Sequence, residues 1–499
     1  MGKKSNSRIK TYANYQCSKC SKKRKSIGNS QLCRRCYAMK KLTVKSGNLD
    51  IDNFIKRTQS SKNTSIGGHF LEWEPYDNFE NIEYIGKGGF SQIYKATWKK
   101  NSGISFNGDI HRSETKVVLK VLNNSQNMDK EFLKELEHTF QFDTKFRNQI
   151  IRCFGVTQDP KTSNFAFILE YAHYGDLHNF LYENFEEFSW KIKNQYLNSI
   201  IEGIKEIHEK KIIHRDLHSG NILVTKHSSG VFDRVIISDL GFSQPATIDS
   251  NLTRKSQIYG IISYMAPELF KNQPYSYASD IYSLGMIMWQ LTSGHKPFHD
   301  QEYGPKLILN ILDGKRPKIT DDTPESWANV MKRCWHFDPS QRPKIEEIWA
   351  LTRKFKVYNR DNEDYIKKKH QDSWLEIEKA EKKRLEMIES KKPFVKNPGY
   401  EHPNSRYYST SLNSMLESIN STITDPFSND HFDIMDSNKK NEKSKSSMQI
   451  KLCFATYPNA LYLIHNQIVR IDSDVGVILK CESGQHVYGW VVATYNSDP

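Results

Sequence analysis

The feature that most restricts this chain is Ile212-Ile213-His214-Arg215-Asp216-Leu217-His218-Ser219-Gly220-Asn221-Ile222-Leu223-Val224, in which two apolar runs flank a polar loop. The loop carries one carboxylate, Asp216, and one carboxamide, Asn221, five residues apart. A carboxylate can orient an incoming hydroxyl and accept its proton. A carboxamide can help to ligate the metal that neutralises phosphate charge. The rest of the chain is read for the other parts such chemistry needs.

Several stretches supply candidates, in order. Ile82 to Lys95 alternates like a hairpin interrupted by Gly86-Lys87-Gly88-Gly89-Phe90-Ser91, and a glycine-rich turn lets backbone N–H groups approach phosphates closely. Lys116-Val117-Val118-Leu119-Lys120 is a short strand ending in lysine, 34 residues after Gly86. A helix follows, with Phe132, Leu133, Leu136 and Phe140 on one face and Glu135 beside it. Asn164 to Tyr171 reads as a strand. Apolar residues at 196, 197, 200, 201, 204 and 207 predict a buried helix leading into the polar loop. Asp239 follows a strand, 23 residues beyond Asp216. Taken singly, each has a plain structural explanation: a hairpin glycine turn, a surface lysine at a strand end, an Asp-x-Gly turn.

Taken in order, they resemble the protein kinases. His214 to Asn221 matches H-R-D-L-x-x-x-N, Gly86 to Ile93 approximates G-x-G-x-x-G-x-V with Ser91 for the third glycine, and Lys120 stands at the V-A-I-K lysine. Asp239-Leu240-Gly241 stands for D-F-G and Met265-Ala266-Pro267-Glu268 for A-P-E. The resemblance covers roughly residues 79–356 and implies an α+β, bilobal kinase fold with a small β-rich N-lobe and a larger helical C-lobe. It implies ATP and Mg2+ as cofactors and a protein hydroxyl as acceptor. Lys120, paired with Glu135 (Glu131 as second choice), would hold the α- and β-phosphates. Ile85, Gly86, Lys87, Gly88, Gly89, Phe90, Ser91 and Ile93 would cover the nucleotide. Backbone groups of Glu170 and Ala172 would bond adenine, with Leu169 as gatekeeper. Asp216 would take the hydroxyl proton, and Asn221 and Asp239 would hold magnesium. Glu268 would pair with Arg342, and Asp280 would hold the catalytic-loop backbone. Ser243, Thr247, Ser250, Thr253, Ser256 and Tyr259 are candidate phosphorylation sites facing Arg215. Leu217-His218-Ser219-Gly220-Asn221 and Tyr264-Met265-Ala266-Pro267-Glu268 look most like the tyrosine-kinase-like group, whose members mostly phosphorylate Ser and Thr.

Two positions depart from the pattern. His218 replaces the lysine that Ser/Thr kinases carry two residues after the catalytic aspartate, and Ile261 replaces the threonine that bonds it. Losing both avoids leaving one buried polar group unpaired. A neutral His218 can still donate to phosphate. An active kinase is expected, with a nucleotide-binding pseudokinase scaffold as the alternative.

Before this region, Cys17-x2-Cys20 and Cys33-x2-Cys36 suit a structural zinc site, with residues 1–45 as its module. The 499-residue chain has a net charge of +14, from 72 Lys/Arg and 58 Asp/Glu. Fourteen of the basic residues lie in residues 1–49, which hold no Asp or Glu, so the rest is balanced. Lys19, Lys22, Lys23, Arg24, Lys25, Arg34 and Arg35 crowd the cysteines. Offsetting a four-thiolate zinc centre is the favoured reading of that charge, and nucleic-acid binding the alternative. The module joined to such a domain resembles kinase families expanded in some fungi. Met1-Gly2 invites a myristoylation reading that Asn6 argues against. No bilayer-spanning run or secretory signal is expected, and cysteine usage fits a reducing compartment, cytoplasmic or nuclear.

Residues 46–78 read as a linker with one helical turn near Asp52-Asn53-Phe54-Ile55-Lys56. Residues 357–395 predict a solvated charged helix and 396–450 a disordered Ser/Asn-rich linker, while 451–499 regain β-character. Substrate identity and oligomeric state are not legible.

Overall fold

The computed structural model describes residues 15–24, 31–33, 36–37, 40, 44–60, 71–89, 91–104, 110–126, 130–140, 149–226, 233–241, 244–245, 258–353, 368–396, 400–405, 408–424, 462–464, 467–469, 476–480 and 486–490. It divides into two units, 1–412 and 413–499.

The first unit carries a β-sheet lobe and a helical lobe. Helix α1 (Leu49–Ser60) precedes strands β1 (Glu72–Trp73), β2 (Phe79–Lys87), β3 (Ser91–Ile104) and β4 (Ile110–Leu122). Helix α2 (Lys130–Phe140) and strands β5 (Cys153–Gln158) and β6 (Phe165–Glu170) follow. The six strands form one sheet in the order β1-β5-β6-β4-β3-β2. Strand alternation gives it two working faces. On β4, Val117, Leu119 and Val121 join Phe79, Trp98 and Ile168 in one core layer. Val118 and Leu122 face the other layer, which holds Leu136 of α2 and Phe165 and Phe167 of β5's neighbour β6. Lys120 shares that second face by the same alternation. This is why its side chain meets α2.

Two expectations need correction here. Residues 46–78, read as a linker, contain both α1 and β1. Ile51, Phe54 and Ile55 are buried in the α2-side core. Asn48 Oδ1 accepts from the Asp50 and Ile51 N–H groups, and Ser46 N–H and Oγ both donate to Asp52 Oδ1, so the helix start is capped from the sequence itself. The polar residues between the apolar ones obscured a real i, i+3, i+4 stripe.

The helical lobe contains α3 (Leu177–Asn184), α4 (Trp190–Glu209), the hairpin β7 (Ile222–Lys226) and β8 (Asp233–Ile237), and the short strand β9 (Tyr259–Gly260). Then come α5 (Tyr277–Ser293), α6 (Pro305–Leu312), α7 (Glu325–Cys334) and α8 (Ile345–Thr352). Tyr196, Leu197, Ile200, Ile201, Ile204 and Ile207 of α4 are all buried, as their spacing predicts. Helix α5 is buried on all sides from Ser279 to Ser293 and opens with a Ser276–Ser279 capping box.

The second correction concerns the tail. Helix α9 (Gln371–Glu389) is not solvated: Trp374, Ile377, Ala380, Arg384 and Met387 are buried. Glu381 Oε2 accepts from the Trp190 N–H at the start of α4 (2.8 Å), and Arg384 Nη1 donates to Glu186 O (2.7 Å). Its apolar stripe was sparse but sufficient, because long charged side chains also cover the lobe. Residues 400–405 and 408–412, read within a disordered segment, pack on the same lobe and end in strand β10 (Thr410–Ser411), antiparallel to β9.

In the second unit the described residues form a helix at Asn413–Thr424 and two hairpins, Tyr462–Ile464 with Gln467–Val469 and Gly476–Lys480 with His486–Trp490. Among the described residues no helix is long and apolar enough to cross a membrane.

Candidate active site

The polar loop between the lobes is fixed from below. Asp280 of α5 accepts from the backbone N–H of His214 (2.9 Å) and Arg215 (3.0 Å), and from His208 Nε2 (2.9 Å). His214 Nδ1 accepts from Asp216 N–H, so its ring proton sits on Nε2, which donates to Ser238 O (3.1 Å). Burial pushes the His214 imidazole below its ordinary pKa, keeping it neutral despite the nearby Asp280 and Asp216. One histidine thereby ties the loop to the strand that delivers Asp239. Arg215 and Asp239 both have left-handed backbones, φ 74° and 59°. Such strain in non-glycine residues persists only where surrounding contacts over-determine it.

The expected side chains converge. Lys120 Nζ donates to Glu135 Oε1 (2.7 Å) and Asp239 Oδ1 (2.8 Å). Burial opposes the ammonium charge, but Asp239 and Glu135 outweigh it and hold the Lys120 pKa above the ordinary lysine range. Asp239 ends below the usual carboxylate value, because Lys120 outweighs its burial. Glycine at 241 leaves room for this closeness, since a Cβ there would lie 3.0 Å from Glu135 Oε2 and 3.1 Å from Asp239 Oδ1. Asn221 Nδ2 donates to Asp216 O (2.9 Å), and Asn221 O accepts from Ser238 N–H (2.8 Å).

Asp216 is buried, and burial would raise its carboxyl. His218 and the Ser409 hydroxyl more than offset that, and it lies below the ordinary carboxylate range. His218 Nδ1 accepts from Gly220 N–H (3.1 Å), which leaves the ring proton on Nε2, 3.6 Å from Asp216 Oδ2. Ile261 lines a small cavity with Asp216, His218 and Tyr264, so the two departures from the kinase pattern are neighbours in space.

Above the loop, Gly86 pairs with Ile93 and Gly88 N–H bonds Ser91 O (2.8 Å), closing the glycine turn between β2 and β3. Ile85 is exposed and Lys87 stands at the end of β2. Phe90 lies outside the described residues, as do Ser243, Thr247, Ser250, Thr253 and Ser256 and the side chain of Glu131. Tyr259 is within β9, and its carbonyl accepts from Tyr275 OH (2.7 Å). Arg215 stacks on the Tyr275 ring at 4.2 Å. Glu170 ends β6, where its N–H bonds Arg152 O (2.9 Å) and its side chain pairs with Arg234. Ala172 O accepts from Gly175 N–H in the turn that follows. Leu169 is buried in the α2-side core.

Glu268 and Arg342 form a two-bonded ion pair, both contacts 2.7 Å. The other guanidinium donors reach Ala278 O, His336 O and Phe337 O, so all five are used.

Away from the loop, the thiols of Cys17, Cys20, Cys33 and Cys36 lie within 4.8 Å of one another, with Cys20 and Cys33 Sγ at 3.8 Å. Four thiolates around one ion with Zn–S of about 2.3 Å would stand about 3.8 Å apart, so the cluster fits a tetrahedral metal. A disulfide would need about 2.05 Å.

Sequence reasoning missed Ser409. Its Oγ donates to Asp216 Oδ1 (2.8 Å) and Oδ2 (2.7 Å). Nothing local marks it, since it sits in a Ser/Asn-rich stretch 193 residues from Asp216.

Comparisons with known proteins agree with this geometry. The family model for protein tyrosine and serine/threonine kinases matches residues 79–351. A chain of Acanthamoeba polyphaga mimivirus, described as a serine/threonine-protein kinase/receptor, is 28% identical over 283 residues, 56% of this chain and 15% of its own length. A chain of Dictyostelium discoideum, described as a serine/threonine-protein kinase, is 26% identical over 284 residues, 55% of this chain and 19% of its own. Mitogen-activated protein kinase kinase kinase 7 of Bos taurus is 28% identical over 286 residues, 54% of this chain and 44% of its own. The chain therefore spans less than half the length of each of these relatives, and the fungal likeness rests on the sequence arrangement alone. The matched model covers more than half of the chain and includes the whole Lys120–Glu135–Asp239 and Asp216–Asn221 constellation, so the chain belongs to the protein tyrosine and serine/threonine kinase family.

Proposed function

We propose that the chain is an ATP- and Mg2+-dependent protein kinase that transfers the γ-phosphate to Ser or Thr hydroxyls. The observation that carries this reading is the assembled ion triad, Lys120 bonded to both Glu135 and Asp239, beside an ionised Asp216.

Lys120, steadied by Glu135, positions the α- and β-phosphates. The turn from Ile85 to Ile93 offers its backbone N–H groups to the phosphates, and backbone groups of Glu170 and Ala172 take the adenine edge. Asp239 and Asn221 present hard oxygen donors, which suit magnesium. Magnesium, when bound, neutralises charge on the phosphate oxygens. Asp216 orients the acceptor hydroxyl and takes its proton. The His218 Nε2–H, aimed at the same place, supplies the donor that a lysine would give. Asp216→Asn should lower transfer of labelled γ-phosphate by about 100- to 10,000-fold while ATP still raises the melting temperature. Full transfer by that variant would sink the assignment. Stabilisation by ATP with no transfer by the native chain would favour a scaffold, a reading motivated by His218 beside Ile261.

The four-cysteine cluster is read as a structural zinc site, its double negative charge offset by the crowded Lys and Arg residues. Metal analysis should give one zinc per chain, and cobalt exchanged into the site should show thiolate charge-transfer absorption that Cys33→Ser weakens.

A further inference from the structure

We propose that Ser409 is an intramolecular phosphate acceptor, seated by the chain in its own active site. The inference rests on the kinase reading above and adds a modification site to it.

The Ser409 hydroxyl divides its proton between both Asp216 oxygens, at 2.8 and 2.7 Å, and lies 3.4 Å from His218 Nε2. A hydroxyl that is to lose its proton to Asp216 must stand within this distance. It reaches its place through main-chain bonds on both sides. Downstream, β10 pairs antiparallel with β9, Thr410 opposite Gly260 and Ser411 opposite Tyr259, and Leu412 N–H donates to Ile258 O (2.8 Å). Upstream, His402 N–H donates to His299 O (2.8 Å), Asn404 O accepts from Tyr303 N–H (3.3 Å), and Glu401 pairs with Lys296 (2.8 Å). From above, the glycine turn closes on it: a Cβ at Gly89 would lie 2.7 Å from Ser409 O. The pairing with β9 fixes the register, and a slip of one residue would turn the side chain to the other face. The adjacent tyrosine, Tyr408, is half exposed, while Ser409 is 8% exposed. A segment that merely blocked the cleft would need no hydroxyl at this atom. This one presents the acceptor group itself.

The reaction balances with Mg–ATP as the co-reactant. Ser409 Oγ forms the bond to Pγ, the Pγ–O bond to the β-phosphate breaks, and ADP leaves with that electron pair. The hydroxyl proton passes to the Asp216 carboxylate and then to water. Until this happens, the strap occupies the edge of β9 that an extended protein substrate would pair with.

The test uses the full chain with ATP–Mg2+ and dephosphorylated casein as a second acceptor, with phosphorylation sites mapped by mass spectrometry. Phosphate should appear at Ser409 with a first-order rate constant that does not change on dilution. Ser409→Thr should keep the label at that position. Leu412→Pro removes the N–H that bonds Ile258; it should slow labelling of Ser409 by about 10-fold or more while casein is labelled at least as fast. Casein labelled with Ser409 unmodified would overturn the proposal and leave the kinase reading intact. An apparent first-order rate constant that rises in proportion to protein concentration would also overturn it, because the acceptor would then be another copy. No transfer to either acceptor would remove both readings together.

Discussion

Single residues show how closely this fold balances buried charge. Lys193 of α4 is wholly buried among Trp190, Phe185 and Phe394, with Asp322 3.8 Å away. Burial drives its pKa down to about 8 from 10.5, and Asp322 restores only part of the loss. Below pH 8 the native state carries this charge and its full cost. As pH rises from about 8 to about 10.5, the unfolded chain retains a proton that the native state has released, so stability rises through that window. The unfolding free energy of the native chain relative to Lys193→Met should therefore improve by roughly 3 kcal/mol between those pH values. A difference that stays flat in denaturant titrations would contradict the assignment. Glu268 and Arg342 behave differently, since every donor and both oxygens are matched. Glu268→Ala would strand a buried guanidinium and should cost about 3–5 kcal/mol by the same measurement.

At the level of elements, α1 makes the clearest case. Its buried face contributes Ile51, Phe54 and Ile55 to the core that also holds Leu136 of α2. Helix α2 carries Glu135, so α1 supports the helix that holds Lys120 in place. Phe54→Ala should cost about 3–5 kcal/mol in unfolding free energy. It should also raise the KM for ATP if α2 loses its seating, and an unchanged KM would separate α1 from the site. Helix α9 plays the matching part in the other lobe, where Glu381 caps the first turn of α4.

Across the first unit, the stretch that follows the family match is structural. Helix α9 and residues 400–405 and 408–412 dock on the helical lobe through Arg384, Lys392, Glu401 and the β9–β10 pairing. Ending the chain after residue 356 should therefore lower the melting temperature by several degrees while freeing the edge of β9 for peptide substrates. Equal melting temperatures would show that the tail is only draped over the lobe.

The order and spacing of motifs determined the family, the two-lobe fold and most of the candidate site, because Lys120, Asp216, Asn221 and Asp239 are each locked to a local pattern of strand, turn or loop. The choice between Glu135 and Glu131 as the partner of Lys120 depended on the tertiary structure, which joins Lys120 Nζ to Glu135 Oε1. Other features depended on the tertiary structure. The apolar stripes of α1 and α9 are diluted by charge, and only the surfaces they cover show that they are buried. Ser409 reaches Asp216 from 193 residues away through main-chain hydrogen bonds, which leave no signature in side-chain identity. A local pattern can specify a catalytic group. Which distant hydroxyl is brought to it depends on how the chain folds back.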